Sequence, residues 1–197
     1  MFTIKKIIFA ATLLSLTLTM TPAKDDNKTQ SPIPQELQFA LMKNNVNTLK
    51  ALIKKGVQIP NEALLGALYG FVAGNGQVEI NILLNNKKPD SNKIISSICN
   101  QIDNTKQIIH VLLKAGSNPN FQVNLDMPIG KFEGSLLSFV NKMKDIITQM
   151  AYPDIIKAIE EKKGKKIDKQ IVEASRKKVE AKFNEIAILL KEYGATV

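Results

Sequence analysis

A recurring helix stop constrains the fold of this chain more than any other feature. Residues 108–120 read IIHVLLKAGSNPN. Ile108, Ile109, Leu112 and Leu113 fall at the three- and four-residue spacing of one buried helical face. Lys114 lies in the last turn, where a cation complements the helix dipole, and Gly116 supplies the left-handed position at which a helix can stop. Asn118-Pro119-Asn120 then has turn chemistry, since Asn tolerates unusual backbone angles and Pro presets its own. Degraded copies stand elsewhere. Residues 49–59 read LKALIKKGVQI, with Leu52-Ile53 before Gly56, and residues 186–196 read IAILLKEYGAT, with Leu189-Leu190 before Gly194. A weaker copy, VEINILLN at 78–85, runs into Lys87-Lys88-Pro89-Asp90 without the glycine.

The second residues of the apolar pairs are 53, 84, 113 and 190, at intervals of 31, 29 and 77. A leucine-rich helix followed by Gly, a small residue, a polar residue, Pro and Asn, repeated near 33 residues, resembles the ankyrin repeat. The resemblance covers residues 35–197. It implies an all-α solenoid of about four degenerate helix-turn-helix repeats, near 35–60, 61–90, 91–120 and 134–197, the last enlarged. The threonine-proline-leucine start of the family's first helix is eroded throughout, as at Gly134-Ser135-Leu136-Leu137.

Ahead of the repeats, Lys5-Lys6 precede an apolar stretch at 7–20, and Thr21-Pro22-Ala23 ends in a small residue. A basic region, an apolar core and a small-residue cleavage site form a secretory signal peptide over 1–23. This fourteen-residue stretch, broken only by threonine and serine, is short against the roughly 20 that cross a bilayer, which disfavours a membrane anchor. No cysteine near Ala23 offers a lipid attachment point. Cleavage there removes two lysines and no acid, so the formal charge falls from +9 to +7. The expected location is outside the producing cytoplasm: the periplasm, the medium or a host. Residues 24–34, polar and closed by Pro32 and Pro34, read as a flexible linker.

Within the domain, residues 36–44 place Leu37, Ala40 and Leu41 on one helical stripe, and 47–55 form the second helix of the first pair. Asn61 caps an almost wholly apolar helix at 63–73, packed by 78–85. Residues 94–102 (IISSICNQI) read as the next first helix, Asp103-Asn104-Thr105 as its turn, and the opening stretch as its partner. Cys99, the only cysteine, reads as a small buried hydrophobe, and His110, the only histidine, as a partly exposed helix residue. One cysteine allows no internal disulfide, so packing alone must hold the exported fold.

After Asn120 the pattern changes. Phe121, Val123, Leu125, Met127 and Ile129 alternate with polar residues or Pro, the period of a strand. Residues 120–133 thus read as an elongated finger or extended loop that covers a helix end or offers an edge to a partner. A helix at 137–150 is stopped by Tyr152-Pro153-Asp154, and another follows to Gly164. Asp168 caps a last helix running to Tyr193. The 77-residue interval is read as one repeat split by an inserted helix near 153–163; the alternative is a fourth second helix at Ile159 with a fifth pair eroded behind it.

Catalytic chemistry finds no foothold. There is no Gly-x-Ser-x-Gly elbow, no phosphate-cradling glycine loop, and no ligand spacing for a metal. The expectation is a non-enzyme without cofactor or metal. The family resemblance implies binding of a protein, as yet unidentified, by a monomer, through first helices and finger tips. By position this nominates Phe39, Met42, Lys43, Tyr69, Phe71, Asn100 and Gln101, with Phe121, Val123, Leu125, Met127 and Phe132 of the long loop. A second reading uses the lysine cluster of residues 162–182, which suits an acidic protein, an anionic membrane surface or nucleic acid. Nucleic acid is disfavoured because Arg176 is the only arginine. A third is a purely structural periplasmic protein.

Overall fold

A computed structural model describes residues 33–73, 90–127 and 130–197, with backbone alone at 69–73 and 126–127. The signal peptide, most of the linker, the helix at 78–85 and the turn at Lys87-Lys88-Pro89 lie outside the described residues. In order come α1 (Gln35–Met42), α2 (Val46–Lys54), α3 (Glu62–Ala73), α4 (Ser91–Lys114), strands β1 (Gln122–Met127) and β2 (Gly130–Ser135), then α5 (Leu136–Asp145). A π turn (Ile146–Ala151), α6 (Tyr152–Lys163) and α7 (Lys169–Glu192) complete the chain. The fold is predominantly helical with one antiparallel strand pair.

The helix stops fall where their residues dictate. Gly56, Gly116 and Gly194 have φ of +81°, +94° and +90°. Each stop is closed by the same two bonds. Gly116 N–H donates to Leu113 O at 3.0 Å and Ser117 N–H to Leu112 O at 3.1 Å; Gly56 with Val57, and Gly194 with Ala195, repeat the pattern. At the end of α1 the left-handed position belongs to Asn44, φ +54°, the one described non-glycine residue there. These bonds also correct the expected alignment. Leu190, not the Leu189-Leu190 pair displaced by one residue, is the structural equivalent of Leu52 and Leu112.

α2, α4 and α7 lie side by side and parallel. Along α4 and α7 the contacts climb together: Asp103 with Lys182, Lys106 with Glu185, His110 edge-on to Tyr193, Asn120 with Gly194. Their lower ends match as well. Asp90 caps α4 by accepting from Asn92 N–H at 2.9 Å, and Asp168 caps α7 by accepting from Gln170 N–H at 2.6 Å. One offset of 78 residues carries Asp90 to Asp168, Ser91 to Lys169, Lys114 to Glu192 and Gly116 to Gly194. Thr105, Ile108, Ile109 and Leu112 are buried in α4, as are Phe183, Ile186, Ala187 and Leu190 at the same offset in α7.

One expected turn is corrected. α4 is one unbroken helix of 24 residues, so no turn exists at Asp103-Asn104-Thr105 and residues 94–102 are not a separate first helix. The reason is tertiary. Asp103 accepts from Lys182 at 3.0 Å, and the buried Thr105 hydroxyl accepts from Asn44 Nδ2 at 3.2 Å. Polar groups that favour a turn in isolation are satisfied from the sides of a continuing helix. Among the described residues, α1 packs on α3 and α2, α4 on α7, α3 and α2, and α5 on α7.

The stop expected at Tyr152-Pro153-Asp154 is likewise absent. Helical backbone continues through Asp145, Ile146, Ala151 and Tyr152. Pro153 lacks an N–H, and its ring crowds the carbonyl four residues earlier. The π turn ahead of it, in which Tyr152 N–H reaches Ile147 O, accommodates the proline without ending the helix. Tyr152 is buried, its hydroxyl bonded to Ser175 Oγ, so α6 is anchored on the first turns of α7. Gly164, φ +65°, then ends α6 as expected.

The period-two segment forms a hairpin, with Val123 opposite Gly134 and Leu125 opposite Phe132. Val123 is 1% exposed, and Phe121, Leu125 and Phe132 are half-buried against the core. Phe132 meets Phe139 of α5 edge-on at 5.2 Å. Gln122 and Asn124 face solvent, as the alternation requires.

Candidate binding surface

The surface is built on α1. Its sequence QELQFALM turns Leu37, Ala40 and Leu41 into the core and leaves the opposite face to solvent. Phe39 is 57% exposed and Met42 40%. They stand one turn apart, whereas the other exposed large apolar side chains, such as Met150, Ile171 and Ile188, are scattered. Lys43 places its ammonium 4.3 Å from the centre of the Phe39 ring. Between α1 and α2 runs an open groove of about 500 Å³ lined by Phe39, Ala40, Lys43 and Thr48, with Gln35, Glu36 and Asn45 along it.

Beyond the α1–α2 turn lies a polar hollow of about 390 Å³ that shares Lys43 and Asn45 with the groove. Its wall includes Asn47, Lys50, Asn104 and Gln107. Asn45 caps α2 by accepting from Thr48 N–H at 3.0 Å, which leaves its amide hydrogens for other partners. Asn44, only 7% exposed, fastens this corner to α4, its amide reaching Gln101 O and Thr105 Oγ1, both at 3.2 Å. The carbonyl Oδ1 of Asn44 has no hydrogen-bond partner among the described residues.

Both ends of the molecule carry a basic excess. Residues 35–55 carry Lys43, Lys50, Lys54 and Lys55 against Glu36 alone, a net +3 from four minus one. No ion pair engages these lysines among the described residues. At the other end some of the cations are matched. Arg176 donates to Glu173 at 2.8 and 3.0 Å and lies 3.7 Å from Glu180. The Arg176 bonds hold the Glu173 carboxyl below its ordinary value, and Glu173 raises the guanidinium in return. On the α4–α7 seam Glu185 accepts from Lys106 at 2.7 Å and from Lys182 at 3.1 Å. The two bonds, Lys106 first, lower the Glu185 carboxyl, while Asp103 and then Glu185 raise the Lys182 ammonium. Of the lysine-rich stretch singled out in the sequence, Arg176, Lys177 and Lys182 are therefore compensated, and Lys165, Lys166 and Lys169 stay exposed.

The nominated residues divide accordingly. Phe39, Met42 and Lys43 are brought together, and Asn44 links them to Gln101, with Asn100 exposed beside it. Val123 is corrected to a core residue, and Phe121, Leu125 and Phe132 serve mainly to bind the hairpin to the core. The side chains of Tyr69, Phe71 and Met127 lie outside the described residues. In sequence Asn44-Asn45 reads only as the break after the first helix, and nothing local marks these residues or Lys50 as a corner made with a helix some 60 positions away; Asn44 standing where other stops have glycine is the available signal.

No set of three His, Cys, Asp or Glu side chains among the described residues clusters to hold a metal, and no described helix is long and apolar enough to cross a membrane. Cys99 is buried, and burial pushes its thiol up, the opposite of an activated nucleophile. Comparison with family models, with curated proteins and with solved structures returns no match.

Proposed function

We propose that the chain is an exported, non-catalytic protein-binding module, an ankyrin-like stack of helix pairs that engages a protein partner through the outer face of its first helix. The supporting observation is the pairing of exposed Phe39 and Met42 beside an open groove, on a face that no other described helix covers. Monomeric proteins seldom leave adjacent large apolar groups in water without a use for them. The stack itself draws support from the parallel α2, α4 and α7 and from their common glycine stops. In this reading the hairpin covers the core, since its apolar residues point inward.

A photoreactive amino acid at position 39, with a second at Lys177 as control, tests the binding face. Crosslinking to a protein at 39 and not at 177 is expected, and equal or absent crosslinking at 39 would overturn the assignment. Export predicts a processed product beginning at Lys24, which intact-mass measurement of the exported chain reads directly. A product retaining residues 1–23 removes that part of the proposal.

A further inference from the structure

We infer that the α1–α2 end recognises an acidic polypeptide segment bearing an apolar anchor. The inference rests on the protein-binding reading and specifies the partner's chemistry.

Three observations converge. First, the groove beside Phe39 and Ala40 has about 500 Å³, room for a single large side chain and its neighbours. Second, no ion pair engages the nearby cations among the described residues: Lys43 lies on the groove wall, which also carries Glu36, Lys50 lies in the adjoining hollow, and Lys54 and Lys55 follow at the end of α2. An exposed ammonium without a counter-charge favours an incoming carboxylate and steers its approach. Third, the hollow is walled by carboxamides from Asn45, Asn47, Asn104 and Gln107. A carboxamide both donates and accepts, which is what the alternating N–H and C=O groups of a polypeptide require.

The same features select among anionic ligands. A lipid surface presents phosphates in a plane and no backbone amides, so the carboxamide hollow would be idle against it. Nucleic acid draws on arginine forks, and Arg176 is held by Glu173 on α7. The nearness of Lys43 to the Phe39 ring, 4.3 Å, also matches a segment whose carboxylate and apolar side chain are close neighbours. Lys43 would leave the ring face for the carboxylate, uncovering the aromatic for the anchor.

The test measures fluorescence anisotropy of labelled 16-residue peptides against the full chain. One peptide combines Leu at helical spacing with Glu; its counterparts replace every Glu by Gln or by Lys. Vesicles of phosphatidylglycerol form a separate arm. The Glu peptide should bind at least tenfold more tightly than the Gln peptide, and its affinity should fall at least tenfold between 50 and 500 mM salt. Lys43→Glu with Lys50→Glu should remove tenfold or more, whereas Lys165→Glu with Lys166→Glu should leave affinity within twofold. Phe39→Ser should weaken binding severalfold without changing the salt dependence. Equal affinity for the three peptides, equal loss from the Lys165/Lys166 pair, or vesicle binding without Glu-peptide binding would each overturn the inference. If crosslinking at position 39 persists undiminished in the Lys43/Lys50 variant, the protein-binding reading stands and the acidic partner falls. If crosslinking is absent too, both fall.

Discussion

The side-chain oxygen of Asn120 accepts two hydrogen bonds from Thr196, at 2.9 Å from its backbone N–H and 3.0 Å from its hydroxyl. The amide of the same Asn donates to Gly194 O at 3.0 Å. Asn61 holds the equivalent place one level earlier. Expected from sequence to cap α3, it reaches across to accept from Asn118 N–H at 2.8 Å. Both asparagines follow a proline, and both grip the second residue after the glycine of the next stop. The turns after α2, α4 and α7 are thereby laced along one edge.

Asn120→Ala should cost about 1 kcal/mol, the net worth of a hydrogen bond or two at an exposed site. In a chain of this size that lowers the melting temperature by about 2–4 °C. Asn120→Asp keeps acceptors for Thr196 and loses the donor to Gly194, so it should fall between the two. Thermal unfolding followed by circular dichroism reads all three.

Gly116→Ala should destabilise through the backbone alone. Its φ is +94°, and a Cβ there would meet nothing within 4 Å. The cost is the left-handed penalty of about 1 kcal/mol, and Gly116→Asn should cost less, as Asn44 illustrates. Urea midpoints at constant slope provide the comparison; equal losses for Ala and Asn would contradict it.

Val123→Ser should cost about 2–3 kcal/mol, from lost apolar packing and a buried hydroxyl. Phe39→Ser should stay within about 0.5 kcal/mol of the parent, as surface changes usually do. Denaturant unfolding of both variants separates core from surface. The contrast matters because the two residues look equally eligible as partner contacts in the sequence.

The Glu185 carboxyl is held below its ordinary value by Lys106 and Lys182. A depressed carboxylate adds stability that is complete above its unfolded value, about pH 4.3, and is lost as pH falls through the folded one. Lys182, raised by Asp103 and Glu185, adds stability complete below about pH 10.4 and lost as pH rises beyond it. Glu185→Gln should therefore flatten stability on the acid side below about pH 5. The pairs are partly exposed, so about 0.5 kcal/mol each is the scale, and added salt should shrink it. Unfolding measured from pH 3 to 7 in parent and variant checks the sign.

Amide hydrogens of Asp103, Asn104 and Thr105 should exchange as slowly as those of Ile102 and Ile108, since one helix carries them all. Fast exchange confined to these three would restore the turn.

That last segment shows where sequence reading reached its limit. The glycine stops, the Asp168 cap, the strand alternation after Asn120 and the burial of Cys99 are local or periodic signals, and each was legible. Continuity through Asp103-Asn104-Thr105 was not, because it depends on Lys182 and Asn44, which lie 79 and 61 residues away. The correspondence of α4 with α7 was half visible as an interval of 77 between Leu113 and Leu190. The true offset of 78 emerges once the stop geometry aligns Leu112 with Leu190 and Asp90 with Asp168. For the binding surface, periodicity marked Leu37, Ala40 and Leu41 as the buried stripe, and position in the ankyrin resemblance nominated Phe39 and Met42. The uncompensated state of Lys43 and Lys50 could be known only after Lys106 and Lys182 had found their acids.

The flush edge at Gly56, Gly116 and Gly194 has a geometric corollary. Helices of 9, 24 and 24 residues that end together must begin apart, so α4 and α7 project 15 residues, about 22 Å, beyond the start of α2. Those extra turns are not free: Ile94, Ile95 and Ile98 of α4 are buried, and Tyr152 holds α7 at Ser175, so the core extends past the short α2 along both long helices.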